Sequence, residues 1–476
     1  MQAKSSAFML DHFPRYFSTR AIICYLVTLA LVSALFMSFA MPFQFVVFGF
    51  VAVTVFFVYS NKLSMKWQRY KPAVFTKKLF FTAFFIRVVY VVFIYFYFIE
   101  MTGEPHAYHA GDELFYQYMG PLLGEKGPHG LMDAFELYRV HFSDRGYCWW
   151  LGIEYAIFGP HVLSARFLKC VIDAFACVLM YNLAKRNFGE TVGRITGIFC
   201  MLMPNMWYYC GITLKETEMA FMVILFVERA DLALRARKIT FQNILLPGII
   251  VLAMFTFRTA LAGVLVAAMI GALVLSSDRQ LQMWKKILYS AVFALWMFLT
   301  VGVEITQETQ ALWEGRGENQ SVGYEAKTNR EGGNTFVRYA SATTMAPLIF
   351  SIPISTMVKV PNQETQMVLN GANFIKNILS GFTIFALIAL LISGDWRKHV
   401  LPIAVTCGYL VVIVYSTFAH SERFHFPVLA MELMFSAYGV TLLKNKHKRW
   451  ITIWMVFVCV GVVVWNFIKL RGRGWA

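Results

Sequence analysis

The feature that most constrains this chain is a series of long, unbroken apolar runs. Thirteen are present, at about 21–41, 43–60, 79–99, 163–184, 191–209, 212–228, 242–257, 259–277, 287–303, 373–393, 400–418, 425–443 and 451–468. A helix that crosses a bilayer needs roughly 20 mostly apolar residues. Lipid offers no partner to an open backbone N–H or C=O, so a helix is the default form of such a run. Barrel strands are shorter and alternate in polarity, which these runs do not. Composition agrees, because 58% of the 476 residues are hydrophobic and only 15% are charged, against about 25% in a soluble domain. That polar surface is too small for a soluble enzyme, a disordered regulator or a secreted disulfide scaffold. The predicted fold is an all-α polytopic membrane protein with about 13 transmembrane helices and two long extracytoplasmic loops. A second run follows the first at once, so the first reads as an anchor and not a cleaved leader.

The net charge of +16 would suggest nucleic acid in a soluble protein. Here it follows topology. With the N-terminus in the cytoplasm, the inner segments hold 25 of the 43 basic residues and six acids, and the outer segments 14 bases and 19 acids. That is the positive-inside pattern. Membrane lipids are expected partners and nucleic acid is not. Lys469, Arg471 and Arg473 then lie outside, against the rule. The chain divides into an N-terminal segment with a helical hairpin (1–78), a transmembrane core containing the first outer loop (79–303, loop 100–162), a second outer loop (304–372) and C-terminal helices (373–476). Residues 345–358, broken by Pro347 and Pro353, read as an interfacial or re-entrant segment. Most of the eight cysteines fall in spans and no CxxC occurs.

Long loops on a rigid scaffold are where function is sought. The first opens with His106, His109, Asp112, Glu113 and Tyr116, and continues through Asp144, Arg145, Trp149 and Trp150. A carboxylate at a membrane surface suits general-base work on a hydroxyl, and Gly111 allows a sharp turn before Asp112. Glu113 is read as tuning that base or facing a cation. Lys215, Glu216 and Glu218 stand at the outer end of the sixth run, where Lys215 and Glu218 are spaced to pair on one helix face. Arg258, and Arg423 within the segment His420, Glu422, Arg423, His425, lie on the same side. Arg316, Lys327, Arg330 and Arg338 in the second loop read as headgroup contacts. Arginine suits phosphate through its planar fork. Inside the fourth run Arg166, Lys169 and Asp173 share a face, which reads as an internal Lys169–Asp173 pair or the stripe of a transport path. Arg87 and Lys376 are expected to snorkel.

In order, the landmarks are Asp112 and Glu113, Arg145 to Gly152, Phe158 and Gly159, Lys185 to Gly189, Pro204 and Asn205, Lys215 and Glu216, Arg258, and Glu422 to Pro427. This arrangement resembles the GT-C superfamily of membrane glycosyltransferases, in the branch of protein mannosyltransferases and lipid A aminoarabinose transferases. It is clearest over about 79–265 and weaker over 373–443. The resemblance implies a polyprenyl-phosphate sugar donor used on the extracytoplasmic face, an acceptor hydroxyl on a glycan, lipid or protein, Asp112 as base with Glu113 beside it, and inversion at the anomeric carbon. The predicted substrate-binding set is His109, Tyr116, Asp144, Arg145, Lys215, Glu216, Arg258, His420, Glu422 and Arg423, and the resemblance implies that two of these, Arg258 and Arg423, hold donor phosphate. Two spans precede the one that enters the acidic loop, unlike the usual pattern. The second loop is too short for an oligosaccharyltransferase soluble domain.

No cofactor is required by this chemistry. The acidic pair has the charge for a divalent cation, but no metal-ligand spacing indicates one. Two other readings remain: a polymerase or ligase of lipid-linked glycans, and a transporter or flippase. The absence of related halves and the placement of both long loops on one side favour the enzyme. A bacterial inner membrane is the expected location. The geometric expectation is that Asp112, Glu216, Arg258 and Arg423 converge on one outward-facing cavity.

Overall fold

The structure is a computed structural model describing residues 15–236, 241–275, 290–300, 302, 348–414, 421–443 and 448–472. His420 lies outside the described residues, as do Arg316, Lys327, Arg330 and Arg338. Among the described residues the regular structure is helical, apart from an isolated antiparallel bridge between Ala40 and Val358. Among the described residues, six helices are long and apolar enough to cross a membrane. The family of shorter or charge-bearing helices accounts for the other runs, so the count of thirteen spans is neither reached nor excluded.

Three long helices come first: α1 (Arg15–Leu35), α2 (Phe43–Trp67) and α3 (Pro72–Thr102). They are apolar all round and present side chains such as Phe81 and Phe85 outward, as helices bathed in lipid do. Helix α3 ends at Gly103, whose φ of 81° is the left-handed cap that glycine adopts without a Cβ clash. The loop that follows is itself helical, with α4 (Gly111–Met119), α5 (Leu122–Leu137) and α6 (Phe142–Phe158). Next come α7 (Val162–Phe188), α8 (Glu190–Leu202), α9 (Pro204–Cys210) and α10 (Glu216–Arg235). The run at 191–209 breaks between α8 and α9 because Pro204 lacks an N–H and disfavours helix in the residue before it.

Helices α11 (Phe241–Phe257), α12 (Thr259–Leu275) and α13 (Ser290–Thr300) are short and apolar. After them an irregular strap, 348–363, leads into α14 (Glu364–Val368) and α15 (Asn370–Ser393). The strap contains the cis Ile352–Pro353 bond and is no further span. It is buried in protein, and amide side chains satisfy its backbone: Asn377 donates to Pro353 O at 3.0 Å and accepts from Ser355 N at 3.1 Å, and Asn466 accepts from Met357 N at 2.9 Å. This is how non-helical backbone survives at membrane depth. Helices α16 (Val400–Val414), α17 (Glu422–Thr441) and α18 (Lys448–Arg471) complete the chain.

The charged helices sit inside. α7, α8, α10 and α17 pack on one another and on α3 and α15, and α17 is buried along most of its length. Here three pairing expectations are corrected. Asp173 pairs with Arg87 and not with Lys169, whose partner is Glu218 at 3.4 Å. Lys215 binds Asp144 and not Glu218. Arg87 and Lys376 do not snorkel; both are buried, and Lys376 meets Glu432 at 3.4 Å and Ile352 O at 2.7 Å.

Candidate active site

The loop after α3 returns α4 onto the core so that Asp112 and Glu113, in its first turn, point to different environments. Successive helical residues diverge by about 100°. Asp112 is 62% exposed. Glu113 is buried and held by Arg166 at 2.8 Å, by Ala107 N at 3.0 Å and by Thr213 N at 2.6 Å. Burial alone would raise its pKa. The nearby His106, the Arg166 charge and the two backbone donors outweigh that and hold it down to about 2. Glu113 therefore faces a cation, and it ties the loop to α7.

Asp112 contacts Arg423, which in turn contacts Glu216. Arg258 approaches the same Glu216 oxygen at 3.8 Å, donates to Tyr409 Oη at 3.2 Å and lies over the Phe424 ring. Asp112, Arg423, Glu216 and Arg258 thus form one chain of charges drawn from α4, α17, α10 and the α11–α12 junction. Glu216 is fully buried, and its Oε2 has no hydrogen-bond partner among the described residues.

Beside this chain Lys215 directs its three donors to Ser143 O at 2.8 Å, to Phe257 O at 2.7 Å and to Asp144. An ammonium has three protons to donate, so Lys215 is fully used in joining α6, α10 and α11. Tyr116 donates to Asp144 at 2.8 Å. Burial pushes the Asp144 carboxyl up, but the Lys215 charge and the hydrogen bonds from Lys215 and Tyr116 leave it below its usual value. Arg145 turns aside, donating to Val140 O at 3.1 Å. Lys215, Asp144, Tyr116 and Arg145 support the wall without lining the opening.

The opening is a cavity of about 360 Å³ lined by His109, Asp112, Glu113, Tyr208, Tyr209, Gln363, Glu364, Gln366, Glu422 and Arg423 among others. His109 closes one side by meeting Glu364 at 2.9 Å, and Glu422 accepts from Asn373 at 2.8 Å. An apolar groove of about 570 Å³ lies between α2, α3, α9 and the start of α15. The two spaces share elements: Thr365 and Gln366 line the cavity while Val368 and Leu369 line the groove, and Tyr208 adjoins the groove's Trp207. The sequence reading missed Gln363, Glu364 and Gln366. They lie where the strap runs into α14, a stretch with no spacing signal, and only the fold brings them to the cavity of Asp112. The stripe of Arg166, Lys169 and Asp173 is buried and each member is ion-paired.

Residues 146–303, about a third of the chain, match the family model described as dolichyl-phosphate-mannose-protein mannosyltransferase. Over that stretch the chain is similar to the GT-C membrane glycosyltransferases, and the match supports a glycosyltransferase of this type drawing on polyprenyl-phosphate sugars. No curated protein and no solved structure matches. The matched stretch includes Lys215, Glu216 and Arg258 and begins downstream of Asp112.

Proposed function

We propose that the protein transfers a sugar from a polyprenyl-phosphate donor to an acceptor hydroxyl on the extracytoplasmic face, with Asp112 as general base. The observation that carries this reading is the contact between an exposed carboxylate, Asp112, and Arg423 at a polar cavity that adjoins an apolar groove. An isoprenoid chain fits the groove by its chemistry, and its phosphate then lies near the polar end. Arg423 has planar donors for that phosphate. An arriving phosphate competes with Asp112 for the guanidinium. Asp112 is then released toward the acceptor, where it takes the hydroxyl proton as the oxygen attacks the anomeric carbon. The departing lipid phosphate gains negative charge, which Arg423 stabilises. Glu216, shared by Arg423 and Arg258, holds Arg423 toward this place.

Arg258 acts behind Arg423, as the positioning partner of Glu216 and not as a direct phosphate ligand, because it does not line the cavity. Glu113 orients the loop through Arg166. Arg423 supplies the electrostatic work, and the proposed reaction requires no cofactor. The proposed location is an inner membrane, with the N-terminus in the cytoplasm. The acceptor is a glycan, a lipid or a protein.

The test is transfer from synthetic polyprenyl-phosphate sugars by purified protein in detergent. Asp112→Asn should lower kcat by roughly 10²–10⁴-fold, the usual contribution of a general base. Transfer at the wild-type rate in that variant would remove Asp112 from the role.

A further inference from the structure

The tail cations stood out in the sequence because they break the positive-inside pattern. One of them is half-buried and turned into the protein. Lys469, near the end of α18, donates to Thr356 Oγ1 at 2.7 Å, to Gln363 Oε1 at 3.0 Å and to Gln366 Oε1. Thr356 lies in the strap, and Gln363 and Gln366 line the polar cavity. An ammonium has only donors. Each amide must therefore turn its oxygen to Lys469, and the opposite, N–H₂ end of each amide is turned away from the ammonium. Thr356 extends the same polarity, accepting from Lys469 and donating to Gln366 Oε1 at 3.5 Å. A neutral residue at 469 would remove the donor that meets the oxygen of each amide.

We propose that Lys469 is a positioning residue that fixes Gln363 and Gln366 as hydrogen-bond donors on the cavity wall, and that these donors take oxygen atoms of the glycosyl group. This rests on the donor class proposed above. A wall of fixed N–H donors suits hydroxyl and ring oxygens, which accept, and gives nothing to the isoprenoid. The glycosylated and bare forms of the same lipid phosphate should therefore be distinguished at this wall. Arg423, which also lines the cavity, serves the phosphate common to both.

The experiment is binding, not turnover, with purified protein in detergent. The probes are a polyprenyl phosphate and the same lipid carrying mannose, glucose or aminoarabinose. The wild type should bind its best glycosylated probe more tightly than the bare lipid phosphate. Lys469→Met should reduce that preference about tenfold, the effect of one or two hydrogen bonds, with bare-lipid affinity unchanged. Lys469→Arg, which keeps a cationic donor, should retain most of the preference. Gln363→Glu with Gln366→Glu, which removes the N–H donors but leaves acceptors for Lys469, should lose it in a chain whose melting temperature shows it is folded. A Lys469→Met variant that keeps the preference, or that weakens both probes equally, overturns the assignment. So does a wild type that binds both probes equally. Failure of the wild type to bind either probe instead removes the donor class itself, and the inference with it.

Discussion

At the scale of single residues, the acidic dipeptide splits into two roles. Asp112 keeps its exposure and its link to Arg423, while Glu113 is buried against Arg166. Removing one member of a buried pair strands the other charge, at a cost of about 3–5 kcal/mol. Glu113→Gln should therefore lower stability by about that amount, read as a fall in melting temperature in detergent. The pH dependence has a definite sign. The folded Glu113 carboxyl sits at about 2, below its ordinary 4.5. A carboxyl depressed on folding adds stability that is present above 4.5 and lost as pH falls toward about 2. The acid limb of the wild-type stability curve should be steeper than that of Glu113→Gln. Identical limbs would show that the pair contributes nothing.

At the scale of elements, two helices touch backbone to backbone. A Cβ added at Gly371 on α15 would lie 2.5 Å from Gly49 O and 2.7 Å from Gly49 Cα on α2. Small residues let membrane helices approach this closely. The same crossing carries Tyr25 Oη donating to Asn370 Oδ1 at 2.7 Å, and Asn370 donating to Phe45 O at 2.9 Å. It fixes where the strap and α14 emerge, and so where Gln363 to Gln366 meet Asp112. Gly371→Ala has backbone atoms to displace and should destabilise by about 1–3 kcal/mol, the usual cost of overpacking. Gly263→Ala on α12 has nothing within 4 Å of the new methyl and is the control. Equal melting temperatures for the two variants would contradict the close crossing.

At the scale of the whole molecule, the end of α18 and the acidic loop lie on the same side, since Lys469 reaches Gln363 and Gln363 shares a cavity with Asp112. The start of α3 lies at the other end of a 31-residue helix. In right-side-out vesicles, a membrane-impermeant maleimide should label Glu136→Cys and Arg471→Cys directly, and Lys77→Cys only after the membrane is opened. These variants belong in a background without the native cysteines Cys24, Cys407 and Cys459, which are half-buried. Labelling of Arg471→Cys only after opening would invert the last helix.

The sequence by itself determined the material and the inventory. Apolar runs of span length required helices in lipid, because backbone polar groups there have no other partner. The bias of Lys and Arg gave a consistent orientation, and the order of Asp112, Lys215, Glu216, Arg258 and Arg423 gave the resemblance. What only the tertiary structure decided was which charges meet. Ion pairs depend on distances of a few ångströms between residues far apart in the chain, and spacing along one helix does not report them. Thus Lys169 and Asp173, neighbours on α7, take partners on α10 and α3, and Asp112 meets an arginine 311 positions away. Tertiary packing also decided that Lys469 serves a cavity wall and that Gln363 and Gln366 belong to the site. Their amides take direction from the cation that meets the oxygen of each.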